Sequence, residues 1–382
     1  MPNQIATPVS VPFLDLKAQY ASLRDELVPE ILRCLDGAMY IDGEAVRLFE
    51  KNFAEYCEAP FCVALDSGTA ALHLALLALD IGPGDEVIVP TNTFIATAAA
   101  VSMTGAHVVL VDSSPITWLM DLNDLERRIT SRTRAVIAVH LYGSPVDMAE
   151  ISQICARRNV MLIEDAAQAQ GARCHGRRVG SFGEIACFSF YPGKNLGAFG
   201  DAGAVTTHDR ALADRIRSLS NHGRSRSRYE HEQIGYNYRM DELQGIVLNA
   251  KLTALDEWNA NRQLIAKGYR ALLGALPIDF YEVSPNCEAV YHLMAICCDE
   301  NQALAQALKE ENIICGFHYP VPIHLQPAFR HLGFPEGSFP VAERIARRTV
   351  SLPIFPEMTE EQLLWVCNRI GDFYSGNLPN LI

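Results

Sequence analysis

The chain predicts an α/β fold: a large domain with a mixed, mostly parallel sheet between helices, and a smaller C-terminal α+β domain. Three observations lead there. Short apolar runs alternate with helical periodicities from residue 61 to about residue 220, an acid (Asp165) closes one of those runs, and at Asn221 the pattern gives way to a polar, aromatic stretch without period. Strands alternating with helices pair in parallel through crossovers. At 382 residues, with 49% apolar content, the chain suits two domains better than one. A division into residues 1–255 and 256–382 is expected.

An arm, Met1–Val11, comes first. Leu23, Leu27, Ile31, Leu32 and Leu35 then recur at helical spacing, and Ala45–Cys57 reads as a second amphipathic helix. Phe61–Leu65, Glu86–Val89, His107–Val111, Ala135–His140 and Val160–Ile163 are strand-like, while Gly68–Leu79, Phe94–Thr104 and Met148–Arg158 are helix-like. Ile185–Phe190 is a further apolar run, followed by a strand at Gly203–Thr206 and a helix at Arg210–Ser220. Residues 221–240 read as a long excursion loop. One long helix, Met240–Arg262, should link the halves. Beyond it come a strand (Ala289–Cys298), a helix (Asn301–Glu311), the loop His318–Phe329, and helices near Val341–Val350 and Glu360–Tyr374.

Composition narrows the function. The formal charge is −13 and no basic block occurs, so neither nucleic acid nor an anionic membrane is an expected partner. No apolar stretch approaches the roughly 20 residues of a membrane span. Eleven scattered cysteines without a CxxC pair suit free thiols in a soluble, cytoplasmic protein. Metal ligation is not expected.

Three residues between Val160 and Gly203 carry the chemistry. Asp165 ends a probable central strand, at the edge where open α/β sheets bind ligands. It reads either as a helix cap or as the partner of a buried cation. Lys194 follows Pro192-Gly193 in a turn between apolar runs, as a solvated loop lysine or as a desolvated amine fit to attack a carbonyl. Ser189 closes the run before it. Upstream, Asp66-Ser67-Gly68-Thr69-Ala70 joins a strand to a helix, a turn that serves equally as an N-cap or as a phosphate site. Gly193-Lys194 lacks the remainder of a P-loop, and Gly82-Pro83-Gly84 lacks the third glycine of a dinucleotide fingerprint. ATP and NAD lose ground accordingly.

Several segments in order resemble DegT/StrS-type nucleotide-sugar aminotransferases, a fold-type I family dependent on pyridoxal phosphate (PLP). They are VPFLDLKAQY, SGTAAL, GPGDEVIVPTNTFIAT, IEDAAQAQGA, FSFYPGKNLGAFGD, GYNYRMDELQ and HYPVPIHLQPAF. The resemblance implies that Lys194 links covalently to PLP and that Asp165 pairs with its ring nitrogen. Gly68, Thr69 and Ser189 would bind the phosphate, Phe94 would stack on the ring, and Gln168 would meet the ring hydroxyl. Asn237 would reach the phosphate of a neighbouring subunit, giving a homodimer with shared sites.

Tyr191, His318 and Tyr319 would line a hexose pocket, with His324 near its entrance. Tyr191, where 4-keto enzymes more often carry histidine, points to amination at C3 of a dTDP-linked 3-keto-6-deoxyhexose, with L-glutamate as donor. A 4-keto or UDP-linked sugar is the alternative, and a non-catalytic regulatory protein of the same fold, against which Lys194 and Asp165 argue, is a further one. Lys194 sets the chain apart from the dehydrating branch, where histidine replaces it. Two features depart from the family pattern: Ala202 replaces a usual glycine, and Asp66 brings a negative charge beside the phosphate turn. Arg224, Arg226 and Arg228 suit either a nucleotide diphosphate or a solvated loop.

Overall fold

Six of the seven strands in the main sheet run one way, and only Gly203–Thr207 runs against them. The order is Phe61–Leu65, Gly203–Thr207, Ile185–Ser189, Met161–Asp165, Thr133–Val139, Glu86–Pro90, His107–Val111. This computed structural model describes residues 9–224 and 229–376. The expected arm lies outside them apart from residues 9–11, as do Arg226 and Arg228 of the basic cluster. The strands are almost wholly buried and rich in Val, Ile and Ala, as a sheet covered on both faces requires. Crossover helices supply the cover, among them Gly68–Ala78, Ile95–Met103 and Met148–Arg158.

The shared direction puts the carboxyl ends of six strands on one edge of the sheet. Leu65, Pro90, Val111, Val139, Asp165 and Ser189 are their last residues. Beyond that edge lies a second, antiparallel sheet of Asp279–Phe280, Met294–Cys297 and Thr349–Leu352, packed with Leu255–Leu273, Asn301–Glu310 and Glu360–Tyr374 around its own apolar cluster.

Three expectations are corrected. Met240–Arg262 is two helices, Glu242–Leu252 and Leu255–Leu273. At the break the Thr253 hydroxyl donates back to the Ala250 carbonyl (2.8 Å), and Ala254 N–H bonds to Lys251 rather than to Ala250 (3.1 Å), tightening the last turn. The predicted strand Ala289–Cys298 shortens to Met294–Cys297, with a separate two-residue strand at Cys287–Glu288. There Cys287 faces Cys174 directly across an antiparallel pair and is joined to it as a disulfide, so the cysteines are not all free thiols. The other nine remain free.

Glu164 shows how the edge is made rigid. Wholly buried, it accepts from the backbone N–H groups of Gly180 (3.0 Å), Phe182 (2.9 Å) and Gly183 (3.0 Å). His140 Nδ1 accepts from Val146 N–H (3.1 Å), so its Nε2 carries the proton and faces Glu164 at 3.3 Å. Desolvation pulls the Glu164 carboxyl upward, but His140 and the backbone donors together hold it below the usual carboxylate range. A depressed value stabilises the fold above the unfolded pKa and is lost as pH falls through the folded one. Glu164→Gln, which aims an amide donor at this ring of donors, should cost on the order of 3 kcal/mol and lower Tm by several degrees. The gap from wild type should narrow on acidification below about pH 4. Melting curves of both proteins across pH check this.

Candidate active site

A cavity of about 680 Å³ opens at the carboxyl edge of the main sheet. Strand ends and the turns after them supply one wall: Ser67, Gly68 and Thr69, then Phe94 and Thr97, then His140, Asp165 and Ser189. Lys194 enters from its turn, and His292, His318 and Tyr319 come from the C-terminal part.

Asp165 and Lys194 share this cavity. Asp165 Oδ2 accepts from Thr97 Oγ1 (2.7 Å) and Oδ1 from Ala167 N–H (3.2 Å). Burial raises the Asp165 carboxyl, against the lowering effects of those two donors and of the Lys194 charge. The Lys194 amine moves the other way, down to about 8, because desolvation outweighs the pull of Asp165. A drop of that size raises the neutral-amine fraction near neutral pH on the order of a hundredfold. The turn carrying the lysine is pinned at both flanks. Ala198 N–H bonds to the Phe190 carbonyl (2.7 Å), and the buried Lys251 ammonium donates to the Gly197 carbonyl (2.7 Å) and to Gln19 Oε1 (2.8 Å).

The phosphate-like turn has the expected form. Ser67 caps the helix Gly68–Ala78, its Oγ accepting from Ala70 N–H (3.1 Å). A Cβ on Gly68 would lie 2.7 Å from Ser189 Cβ, so glycine is what brings the helix N-terminus up to Ser189. Asp66 is outside the cavity lining, where its Oδ1 accepts the Ser67 hydroxyl (3.1 Å).

Other expected residues divide. Phe94 is the N-cap of the helix Ile95–Met103 rather than part of its buried face. It is 52% exposed, with its ring centroid 5.6 Å from that of Tyr319. Gln168 Oε1 accepts from Tyr142 N–H (2.7 Å) and its Nε2 donates to Tyr319 Oη (3.1 Å), locking two cavity side chains together. Tyr191 stands 59% exposed at the rim. The His318 ring, with Nδ1 2.9 Å from Ser351 Oγ, is pushed down to about 4 by burial and by the Lys194 charge.

His324 is not near the entrance. Its ring is buried between Thr91 Oγ1 (2.9 Å) and Glu343 Oε1 (3.0 Å), outside the lining, because the short helix Ile323–Leu325 turns it into the fold. Asn237 is exposed and lies outside this chain's own cavity, bridged to Asn221. Thr97 and His292 belong to the cavity yet were not expected there. Thr97 lies one helical turn after Thr93, a spacing that could have suggested it, whereas His292 sits in an apolar run with no local signal.

A strand-end acid, a desolvated lysine and a helix N-terminus around one cavity suit a phosphorylated carbonyl cofactor. Residues 21–371 match the model of the DegT/DnrJ/EryC1/StrS aminotransferase family. The chain belongs to this family. The aminotransferase is 46% identical over 374 residues to a dTDP-3-amino-3,4,6-trideoxy-alpha-D-glucose transaminase of Streptomyces venezuelae, covering 98% of each chain. It is 44% identical over 361 residues to a UDP-N-acetyl-3-dehydro-alpha-D-glucosamine 3-aminotransferase of Acidithiobacillus ferrooxidans, covering 94% of this chain and 97% of the relative. Its fold superposes on the crystal structure of S. venezuelae DesV in complex with a ketimine intermediate with a TM-score of 0.94, at 46% identity, covering 96% of this chain and 99% of that one.

The aminotransferases of this family depend on PLP. The residues present fit that group: a cradle at Gly68 that a Cβ would fill, a buried carboxylate for a ring N–H, and a buried amine for the carbonyl. Covalent capture of added PLP by cofactor-free protein needs the neutral amine, so its rate should rise with pH to a midpoint near 8. The Asp165 charge raises the amine, so Asp165→Asn should move that midpoint down. Borohydride trapping against pH reads both. A midpoint near the ordinary 10.5 would contradict the desolvated site.

Proposed function

We propose that this aminotransferase moves an amino group from L-glutamate to C3 of a dTDP-linked 3-keto-6-deoxyhexose. The observation that carries the regiochemistry is that two relatives with different nucleotides, each at least 44% identical, are both named for amination at sugar position 3. Tyr191 at the cavity rim agrees with it.

In this reading Gly68, Thr69 and Ser189 hold the PLP phosphate, Asp165 holds the ring N–H, Phe94 covers a ring face and Gln168 meets the ring hydroxyl. PLP supplies an electron sink beside the carbon being deprotonated. Lys194 would hold the cofactor through its amine, and that amine would take the proton from the donor carbon and supply one to the acceptor carbon. A neutral amine accepts a proton, and the same group protonated returns it, so a value near 8 serves both directions. Asp165, kept in place by Thr97 and Ala167, retains its negative charge opposite the ring N–H once that cation is present. Tyr191, His318 and Tyr319 face the hexose.

The working unit in this proposal is a homodimer in which Asn237 of the partner subunit completes the phosphate site. Its exposure outside its own chain's cavity supports that placement.

Lys194→Ala should lower turnover at least a thousandfold while leaving Tm within a few degrees of the cofactor-free wild type. Assays with glutamate against 3-keto and 4-keto dTDP- and UDP-sugars test the substrate: amination of a 4-keto sugar alone refutes C3, and preference for UDP reassigns the nucleotide. Mixing Lys194→Ala with Asn237→Asp chains should restore activity, because mixed dimers contain one site with both native residues. Absence of rescue after verified subunit exchange counts against sharing.

A further inference from the structure

Behind the cavity four side chains form a hydrogen-bond ladder with one direction. Gln170 Nε2 donates to the carbonyls of Ser189 (2.6 Å) and Ala167 (3.2 Å). Asn259 Nδ2 donates to the Gln170 carbonyl (2.9 Å), and Asn195 Nδ2 donates to Asn259 Oδ1 (2.8 Å) and the Val290 carbonyl (3.0 Å). Backbone carbonyls only accept, so they settle which end of each amide is nitrogen. Asn195 Oδ1 is thereby an acceptor, and the group 3.2 Å from it is His292 Nδ1. That nitrogen must carry a proton.

A neutral imidazole protonated at Nδ1 has a lone pair at Nε2. The ring is held neutral: desolvation, then the charges of Lys194 and Arg262, push its protonation well below the ordinary range. Among the described residues Nε2 has no hydrogen-bonded partner, and the ring stands on the cavity wall with Lys194, Asp165 and Tyr319.

We propose that His292 offers Nε2 as a fixed hydrogen-bond acceptor to a hydroxyl of the sugar ring. The proposal rests on the sugar-aminotransferase reading. A neutral Nε2 without a proton has nothing to give the carboxylates of the amino-acid donor, whereas a hydroxyl of the polyol acceptor can donate to it, so the contact is assigned to the acceptor. His292 is thus a specificity-determining residue for one half of the reaction, oriented through Asn195 by the same ladder that carries Ser189 and the lysine turn.

His292→Asn separates the two roles of the ring. Asparagine can place an amide N–H where Nδ1 stands, preserving the bond to Asn195, but does not reach the position of Nε2. The two half-reactions are followed separately by the absorbance of the bound cofactor in single turnovers. The keto-sugar half-reaction should slow about tenfold, as one lost uncharged hydrogen bond implies, with the glutamate half-reaction unchanged. His292→Leu, which also breaks the bond to Asn195, should slow both. In the resting protein the ¹⁵N resonances of His292 should report the Nδ1–H form at pH 7.

An Nε2–H or doubly protonated ring overturns the proposal, and so does an asparagine variant that slows both half-reactions alike or neither. A wild-type enzyme that accepts glutamate but no nucleotide keto sugar overturns the sugar reading and this proposal together. Wild-type turnover of a keto sugar, with His292→Asn slowing both half-reactions alike or neither, overturns this proposal alone.

Discussion

Burying an amine and a carboxylate in one cavity is the constraint on which the rest of the structure depends. Each group alone would pay a large desolvation penalty; together each offsets part of the other's, and neither is fully satisfied. The shortfall is what makes the site useful. Lys194 is left near 8 and able to exist neutral, while Asp165 is left needing a cation. A site that fully satisfied Lys194 with a close ion pair would hold its amine protonated and unreactive. The fold therefore has to keep the two groups fixed without giving the lysine a better partner.

It does so with backbone and amide hydrogen bonds rather than with further charges. Thr97 and the Ala167 N–H hold Asp165, and Glu164, its neighbour on the same strand, points to the opposite face and ties down residues 180–183. On the lysine side, the Asn195 amide and the Lys251 ammonium fasten the turn from two directions. Uncharged donors and acceptors set position while leaving the local potential to Asp165, Lys194 and whatever enters. Glu164 and Lys251 carry charge, but Lys251 directs it to Gly197 and Gln19 and Glu164 to residues 180–183, all outside the cavity lining, with His140 the one lining residue among their partners.

How much of this was legible in the sequence follows from how local each signal is. Strand periodicity and turn residues act over a few neighbours, so the strands Phe61–Leu65 and His107–Val111 and the helix Met148–Arg158 fall where their apolar patterns place them. Asp165 was legible because a strand end in a parallel sheet has a fixed relation to the ligand edge. The break at Thr253 was not, since no proline or glycine marks it and a single back-bonding hydroxyl is weak in sequence. The Cys174–Cys287 pair joins residues 113 positions apart, and cross-strand register between two-residue strands leaves no periodic trace. His324 misled because a histidine in a loop near the site looks available, whereas Thr91 and Glu343, both distant in sequence, occupy its two nitrogens.

The same contrast separates His292 from His318 and clarifies what the C-terminal part contributes. Both rings are kept neutral beside Lys194, so neither competes with Asp165 for the positive charge. Their anchors differ. The Ser351 hydroxyl opposite His318 can donate or accept and leaves that ring's tautomer open, whereas Asn195 Oδ1 can only accept and decides it for His292. Main-sheet strands thus bring the groups that suit a cofactor, and the chain beyond residue 290 brings uncharged hydrogen-bonding groups, of which His292 has a set direction. Such a wall can distinguish hydroxyl patterns without shifting the amine's basicity, because uncharged dipoles perturb a neighbouring pKa far less than a full charge at the same distance. Changing the sugar preference by altering that wall is therefore compatible with keeping Lys194 and Asp165 as they are.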